Sequence, residues 1–572
     1  MFSNPTIRYY VLIVLILSAS YTFAQAPYWT MALQAGGWQS SHGEKVATDD
    51  LGNIYVLGYF SDTLVLGTYT LASITFSSST FLAKYNSSGV LLWALSPIGF
   101  IESYSMVVDF TGNIFISGSF TSSNAIFGSD TLLNADTTAY HHRDMFITKY
   151  DTHGNAIWAK RAGGKGNDSG GEIIIDNNGH LYLAGAFSNS SSTGNDTLIL
   201  GNDTLTCTGV NSFSSFIAKY DTSGNALWGR STSNQGNGGF HIYFDSYSNT
   251  LYLGGKFRSD SLAFGNTTVY NHGYNTDDIY MAEMDTSGNI LWARSFGGDN
   301  HEGCSDILKD NDGNILITGS YYNDSLVLGS NTLYNSGPVN TSDIYFAKFD
   351  SIGTPIWAKK AGGLGFEGAL EIVEDAGGFV YLMGSFGSPS ITFDLHTLTN
   401  PSGTVNNLFV VKFNSSGNAL WAKGTGGQGG LRPYCMHLAQ NSGIALFVTG
   451  NINFQPGSSG SNVTFNNDTL FTNGYLYFLA KLEETILGDV SATGSKSTFT
   501  LVYPNPSSSI FNFKTIDNIN ELQKIEVYNL TGELIMNSTD NQIDLSLFSN
   551  NLYFYRLFTK SGKFFYGRIV KN

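Results

Sequence analysis

Apolar residues in this chain come in short blocks, and the blocks recur. Asn53 to Phe60 is an almost wholly apolar run, preceded by a short strand pattern over Lys45 to Thr48 and the turn Asp49-Asp50-Leu51-Gly52. Such a run predicts a strand covered on both faces, unlike the clean alternation of a half-exposed sheet. Leu64-Val65-Leu66-Gly67 and Tyr69-Thr70-Leu71 then predict a hairpin outside the main sheet. A strand at Phe81, the turn Asn86-Ser87-Ser88-Gly89 and a strand at Trp93 complete the unit. Both turns combine Asx chemistry with Gly where positive φ is needed. Helical periodicity is almost absent.

The unit repeats. Trp29, Trp93, Trp158, Trp228, Trp292, Trp357 and Trp421 recur at intervals of 64, 65, 70, 64, 65 and 64. An aromatic-x-x-Lys-apolar strand recurs from Phe81, Phe146, Phe216, Tyr280, Tyr345, Phe409 and Phe478, with Glu283 the only break in its lysine series. A strand ending in glycine recurs at Gly58, Gly118, Gly185, Gly255, Gly319, Gly384 and Gly450. Four principal strands per unit fit a blade of a β-propeller. The Trp29 strand precedes the first repeat, and the seventh repeat stops at Lys481-Leu482 without a Trp strand; the two fragments sum to one unit. A ring needs an integer total, whereas an open solenoid, the alternative, does not. The expected fold class is therefore all-β, a seven-bladed β-propeller over residues 25–485, closed by pairing of the Trp29 strand with Phe478 to Leu482.

These units resemble the bacterial β-propeller repeats called SBBP repeats, over about residues 27 to 485. Asp109-Phe110-Thr111-Gly112-Asn113-Ile114-Phe115-Ile116-Ser117-Gly118 and Phe216-Ile217-Ala218-Lys219-Tyr220-Asp221 carry the likeness. The usual units of that family are shorter, and the family has no common activity.

A small-residue linker, residues 486–497, leads to a different pattern over 498–572. Val502-Tyr503-Pro504-Asn505-Pro506, Ile525-Glu526-Val527-Tyr528-Asn529-Leu530-Thr531-Gly532, Leu552-Tyr553-Phe554-Tyr555-Arg556-Leu557 and Arg568-Ile569-Val570-Lys571 resemble the C-terminal sorting domain of the type IX secretion system. The resemblance implies a small immunoglobulin-like β-sandwich and the type IX machinery as partner. It also implies a cargo anchored to surface lipopolysaccharide or released. Asn551 stands where that family usually has Gly, a mild departure because Asn tolerates left-handed geometry.

Residues 1–24 read as a cleavable secretory signal: Arg8 precedes the apolar run Val11 to Leu17, and Ala24 favours cleavage before Gln25. The expected location is thus secreted or on the outer cell surface. Of the formal charge of −16, almost none lies in the tail, which has seven Lys/Arg and six Asp/Glu from Thr498 onward. The acidic repeat region excludes nucleic acid as a partner. Cys207, Cys304 and Cys435 are too few and too widely spaced for a disulfide framework or a zinc site, and are expected as small buried hydrophobes.

Candidate chemistry is sparse. Gly363-Leu364-Gly365-Phe366-Glu367-Gly368 has G-x-G-x-x-G spacing, but no helix follows it. Asp310-Asn311-Asp312-Gly313-Asn314 looks like part of a calcium loop without the later bidentate carboxylate, so neither cofactor nor metal is expected. Asp62-Thr63-Leu64, Asp130-Thr131-Leu132, Asp196-Thr197-Leu198, Asp203-Thr204-Leu205 and Asp468-Thr469-Leu470 resemble acceptors of bacterial O-glycosylation. The loops entering the first strand of each repeat contribute His42, Glu44, Glu102, Asp168, Asp299, His301, Glu302, Glu367 and Arg432. In a propeller these gather at one mouth of the central channel; otherwise they are solvated loop residues. No acid/base pair can be picked from them, so no catalytic residue is assigned and the protein is expected to be non-enzymatic. The expected function is binding of a glycan or protein ligand. The alternatives are a passive envelope component, or a polysaccharide hydrolase or lyase. The last would need carboxylates or a His converging within about 5 to 10 Å.

Overall fold

The computed structural model describes residues 27–484 and 500–571 apart from 37–39, 74–77, 138–141, 190–195, 208–211, 233–239, 323, 401–404, 440–443, 454–460, 467, 473–474, 504–508, 516–521, 529–533, 550 and 560–563. The expected signal segment, the linker and part of the tail motifs lie outside the described residues. The chain divides into two compact units, Met1–Ile486 and Leu487–Asn572.

Among the described residues the first unit is all-β, with seven four-stranded antiparallel sheets. The first sheet runs Ser41–Thr48, Ile54–Ser61, Ser78–Tyr85, Leu91–Leu95 in chain order. The next five repeat that order. The seventh takes Gly430–Ala439, Ile444–Asn453 and Leu476–Glu484 from the end of the unit and its fourth strand, Tyr28–Ala35, from the beginning. Trp29 lies opposite Leu482 and Gln34 opposite Phe478, with a bulge between Trp29 and Met31. The predicted extra hairpin is present as a separate two-stranded sheet, Thr63–Leu66 with Tyr69–Ala72. It drives Leu64 and Leu66 into the core.

Burial explains the apolar runs. Every residue from Ile54 to Phe60 is buried, because both faces of the second strand meet protein. One face packs with the seventh sheet, in a core shared by Val56, Phe81, Phe447 and Tyr477. The other packs with the second sheet, in a core shared by Tyr55, Leu57, Ile114 and Phe146. Each consecutive pair of sheets shares such a core. The sheets therefore stack in a closed cyclic order.

The glycine and aromatic markers are two halves of one contact. A Cβ on Gly319 would sit 1.8 Å from the Gly303 carbonyl oxygen and 3.0 Å from the Tyr345 ring; Gly58 and Gly384 meet His42 or Gly368 carbonyls and Phe81 or Phe409 rings in the same way. The ring of the third strand lies over a second-strand residue that can have no side chain. Gly319→Ala should therefore destabilise the unit by roughly 1–3 kcal/mol through overpacking, measured as a lowered midpoint in urea. An unchanged midpoint would show that the backbone yields there at no cost.

In three repeats the lysine marker forms a buried ion pair. Lys348 Nζ lies 2.6 Å from Asp310, and Lys412 Nζ 2.5 Å from Glu484. Asp310 thus holds a lysine, and its turn is not a calcium loop. At the exception, Glu283 accepts hydrogen bonds from Trp292 Nε1 (2.7 Å) and Tyr252 Oη (2.9 Å). The cation comes instead from the next sheet, where Lys309 Nζ lies 2.8 Å from Asp245 and stands over the Tyr252 ring. The turns form as expected: Asp49 Oδ1 accepts the Leu51 and Asn53 amides, and Gly52 has φ 76°. The three cysteines are free and buried.

The second unit has a three-stranded sheet (Thr500–Tyr503, Ile510–Thr515, Gln542–Asp544) and a four-stranded one (Leu534–Ser538, Leu522–Tyr528, Asn551–Thr559, Phe564–Lys571). Phe511, Phe513 and Ile543 from one, and Ile525, Val527, Tyr555 and Ile569 from the other, form one core.

Candidate functional site

Among the described residues, the first strand of every sheet but the fourth carries a bulge or irregularity near the marker glycine, as at Gly43/Lys45 opposite Gly58. This strand begins earlier than the sequence pattern suggests, so most residues expected in loops are strand residues. His42 and Glu44 belong to Ser41–Thr48, Glu102 to Ile101–Val108 and Arg432 to Gly430–Ala439. Asp299 is an exposed loop residue, and His301 directly precedes its strand.

Three of the expected residues come together. The His42 ring packs between Tyr59 (centroids 4.9 Å apart) and Tyr434 (5.1 Å, stacked), with Glu44 3.6 Å from its Nε2. Arg432, exposed, lies over the Tyr434 ring at 5.9 Å. Burial, reinforced by Arg432, lowers the His42 imidazole to about 4, so it is neutral near pH 7. Burial lifts the Glu44 carboxyl to about 7 against the opposing pull of Lys45. The cluster continues into the second sheet. Tyr59 donates to the Ser103 carbonyl (2.6 Å), Tyr104 donates to Glu102 (2.6 Å), and Arg143 pairs with Glu102 at 2.9 Å. Arg143 then borders a recess of about 230 Å³ with Asn167, Ser169, Ala186 and Phe213.

Asp168, Glu302 and Glu367 correct the expectation of ligand-facing loop residues. Each opens a first strand and is only 1–2% exposed, because it meets the preceding sheet. Asp168 donates its amide to the Arg143 carbonyl (2.7 Å), and Glu302 donates its own to the Asp277 carbonyl (2.8 Å). Glu367 accepts hydrogen bonds from the Ser388 hydroxyl (2.5 Å) and amide and from the Gly363 amide (3.1 Å). His301 Nδ1 lies 3.3 Å from Asp277.

One set of residues escaped the sequence reading. The position after the bulge holds Lys45, Ser105, Asp306, Glu371 and Cys435, with Glu172 inside the longer irregularity of the third sheet and His241 in the matching register of the fourth. These side chains bridge the seams between sheets. Glu172 accepts the Ile242 amide (3.0 Å) and lies 3.4 Å from His241 Nδ1. Asp306 accepts the Ile372 amide (2.8 Å), and Glu371 accepts the Met436 amide and lies 3.9 Å from Lys45 Nζ. Burial would push Glu172 up, but the His241 hydrogen bond and the charges of His241 and Lys45 hold it below the usual carboxylate range; Glu172 in turn raises His241. Burial, then Glu371, lifts Asp306 to about 7. The spacing was the available signal: five of the seven stand thirteen residues ahead of Gly58, Gly118, Gly185, Gly319 and Gly384.

Among curated proteins, the chain is 25% identical over 518 residues to the uncharacterized WD repeat-containing protein L264 of Acanthamoeba polyphaga mimivirus, covering 74% of this chain and 36% of that protein. It is 28% identical over 154 residues to the regulatory protein FlaEY of Caulobacter vibrioides, covering 25% of this chain and 16% of that one. The chain thus spans well under half the length of either relative. Among solved structures it is similar to the phage phi92 endosialidase (11% identity, 94% of this chain and 87% of that one, TM-score 0.32). A protein of unknown function from Dyadobacter fermentans is also similar (9% identity, 81% and 100%, TM-score 0.33). Residues 501–572 match the family described as the secretion system C-terminal sorting domain. The second unit is therefore a sorting domain of the type IX secretion system, and the chain is a protein exported to or beyond the cell surface.

Proposed function

We propose that the first unit is a seven-bladed β-propeller of the SBBP type, exported to bind a glycan or protein ligand at the channel mouth formed by the starts of its first strands. The cyclic sharing of cores and the pairing of Tyr28–Ala35 with Leu476–Glu484 support the ring. For the tail we propose an immunoglobulin-like sandwich. In support, Tyr553 Oη donates to the carbonyl of Ser549, four residues upstream (2.6 Å), a tie such sandwiches use. Surface lipopolysaccharide is the proposed anchor where the protein is retained.

The observation that carries the binding reading is the Tyr59–His42–Tyr434 stack with Arg432 over it. Its flat rings are held rigidly by packing, and a guanidinium beside them offers hydrogen-bond donors in a fixed fork. Rigid aromatic and arginine groups lose little entropy on binding and dominate affinity where they cluster. The test is a glycan-array and surface-protein screen with the purified full chain. The double substitution Arg432→Ala, Tyr434→Ala should weaken capture by on the order of 2 kcal/mol, more than about tenfold. A ligand bound equally by the double variant would move the site elsewhere, and the absence of any ligand would favour a passive envelope component.

One observation favours a second reading, a polysaccharide hydrolase or lyase: Glu44 is raised to about 7, a range suited to a general acid. Shortened oligosaccharide products, lost in Glu44→Gln, would establish that activity in place of binding.

A further inference from the structure

Exposed aromatic side chains collect at one end of the first unit. Neighbouring strands are antiparallel, so in every sheet the first and third strands start, and the second and fourth finish, at the same end. Hydrogen bonds across the seams join like ends of consecutive sheets. The Ser41 amide donates to the Tyr475 carbonyl (2.9 Å), and the Asp168, Glu302 and Leu431 amides donate to the Arg143, Asp277 and Asn406 carbonyls. This is the end that carries the His42–Tyr434 stack.

Each sheet from the second to the seventh adds one aromatic side chain to that end. Phe100 and Phe366 directly precede the first strands of the second and sixth sheets, and Tyr322 ends the second strand of the fifth. Phe213 begins the third strand of the third sheet, while Tyr274 and Tyr475 lie ahead of the third strands of the fourth and seventh. All six are between 37% and 90% exposed. Backbone hydrogen bonds fix several of them: the Phe100 and Phe366 carbonyls accept the Thr121 and Gly387 amides, and the Tyr322 amide donates to the His301 carbonyl. Among the described residues the opposite end, where the Asx turns lie, shows fewer such rings, Tyr28, Phe110 and Tyr247. A single exposed ring needs no explanation. Recurrence at one end, sheet after sheet, does.

The arrangement selects among ligands. A protein partner is recognised through one desolvated central cluster. A polymer of ring-shaped units can instead meet separate platforms in turn, each contact adding to the others through linkage along the chain. Charge narrows the class further. Cations at this end are paired with the protein's own carboxylates, Arg143 with Glu102, Arg161 with Asp144, Arg258 with Asp277 and Lys360 with Asp343. The formal charge of −16 lies almost wholly in the first unit, which repels a polyanion. Beside Phe213 the recess offers Arg143, Asn167 and Ser169 as polar partners for hydroxyl groups. We propose that the ligand of this end is a long uncharged polysaccharide, running over the His42–Tyr434 stack and on to further aromatic platforms at the rim. This rests on the glycan reading of the mouth and extends it from one site to a track.

The test is affinity electrophoresis of the full chain in native gels containing mannan, dextran, xylan or hydroxyethylcellulose, beside gels containing polygalacturonate or alginate. The expected result is retardation by at least one uncharged polymer and none by the polyuronates. Long fragments of that polymer should compete better than its disaccharide by on the order of tenfold or more. The double substitution Tyr274→Ala, Phe366→Ala should weaken retention several-fold, while Tyr247→Ala at the opposite end leaves it unchanged. These side chains are exposed, so circular dichroism should show both variants folded. Retention lost in Arg432→Ala, Tyr434→Ala but intact in the rim variant would overturn the track and leave the single site standing. Equal competition by disaccharide and long fragments would do the same. Stronger retention by the polyuronates would overturn the uncharged class. No retention in any gel, together with a blank glycan array, would overturn the glycan reading and this extension with it.

Discussion

Removal of residues 499–572 should leave a folded first unit that no longer reaches the cell surface. The two units have separate cores, the tail's being built from Phe511, Phe513, Ile525, Val527, Ile543, Leu545, Tyr553, Tyr555 and Ile569. Every strand of the seven sheets of the first unit lies between Tyr28 and Glu484. Truncation therefore takes away no core residue of the first unit, while it removes the whole match to the sorting family. Protease accessibility on intact cells, with fractionation of periplasm and medium, reads the outcome. Surface exposure should be abolished, and the truncated protein should collect in the periplasm with the same unfolding midpoint as its counterpart in the full chain. Normal surface levels would remove the tail from the export route; an unfolded periplasmic product would mean that the first unit depends on the tail.

The second large effect is expected at Trp29. Its ring is 4% exposed and packs edge-on against Phe465 at 5.0 Å, and its Nε1 donates to the carbonyl of Gly424 in the sixth sheet. The other repeat tryptophans, on the same outermost strand, are only half-buried. Trp29 is the more deeply set because it sits where the two ends of the unit meet. Trp29→Ala removes this packing and leaves a cavity, at a cost on the order of 3–5 kcal/mol. Because its strand pairs with Leu476–Glu484, the loss should loosen the seventh sheet and its neighbours together. Hydrogen exchange confined to residues 28–35, with Leu476–Glu484 still protected, would contradict a closed ring.

The repeat was legible because the glycine and aromatic markers are two halves of one contact inside a sheet. Gly58 and Phe81 face each other on adjacent strands, and any sheet of this shape needs the same pair. The ring-closing pairing was legible for a related reason: a Trp strand without a repeat and a repeat without a Trp strand are complementary fragments. The candidate site was much less legible. Glu302 reads as a loop acid until Asp278, twenty-four residues earlier, is brought against it by the stacking of two sheets. Lys45, Glu172, His241, Asp306 and Glu371 share a register position but differ in charge and size, which hides them from any comparison of repeats by identity. The bulge at Glu44 adds one residue on one strand and so reverses which side chains face inward after it. The Tyr59–His42–Tyr434 stack draws on three strands and two sheets, one at each end of the unit, and no local pattern records it.

The pairing of Tyr28–Ala35 with Leu476–Glu484 also sets a timetable. A chain threaded through a membrane from its N-terminus offers its first strand some 440 residues before the partner arrives. Until then that strand has an open hydrogen-bonding edge, and a contact of such sequence separation forms slowly. The last sheet is thus completed only when residues up to Glu484 have crossed, immediately before the tail emerges. Order of synthesis alone then brings the export address out after the first unit, so the machinery that reads it meets a chain that already holds every strand needed to close.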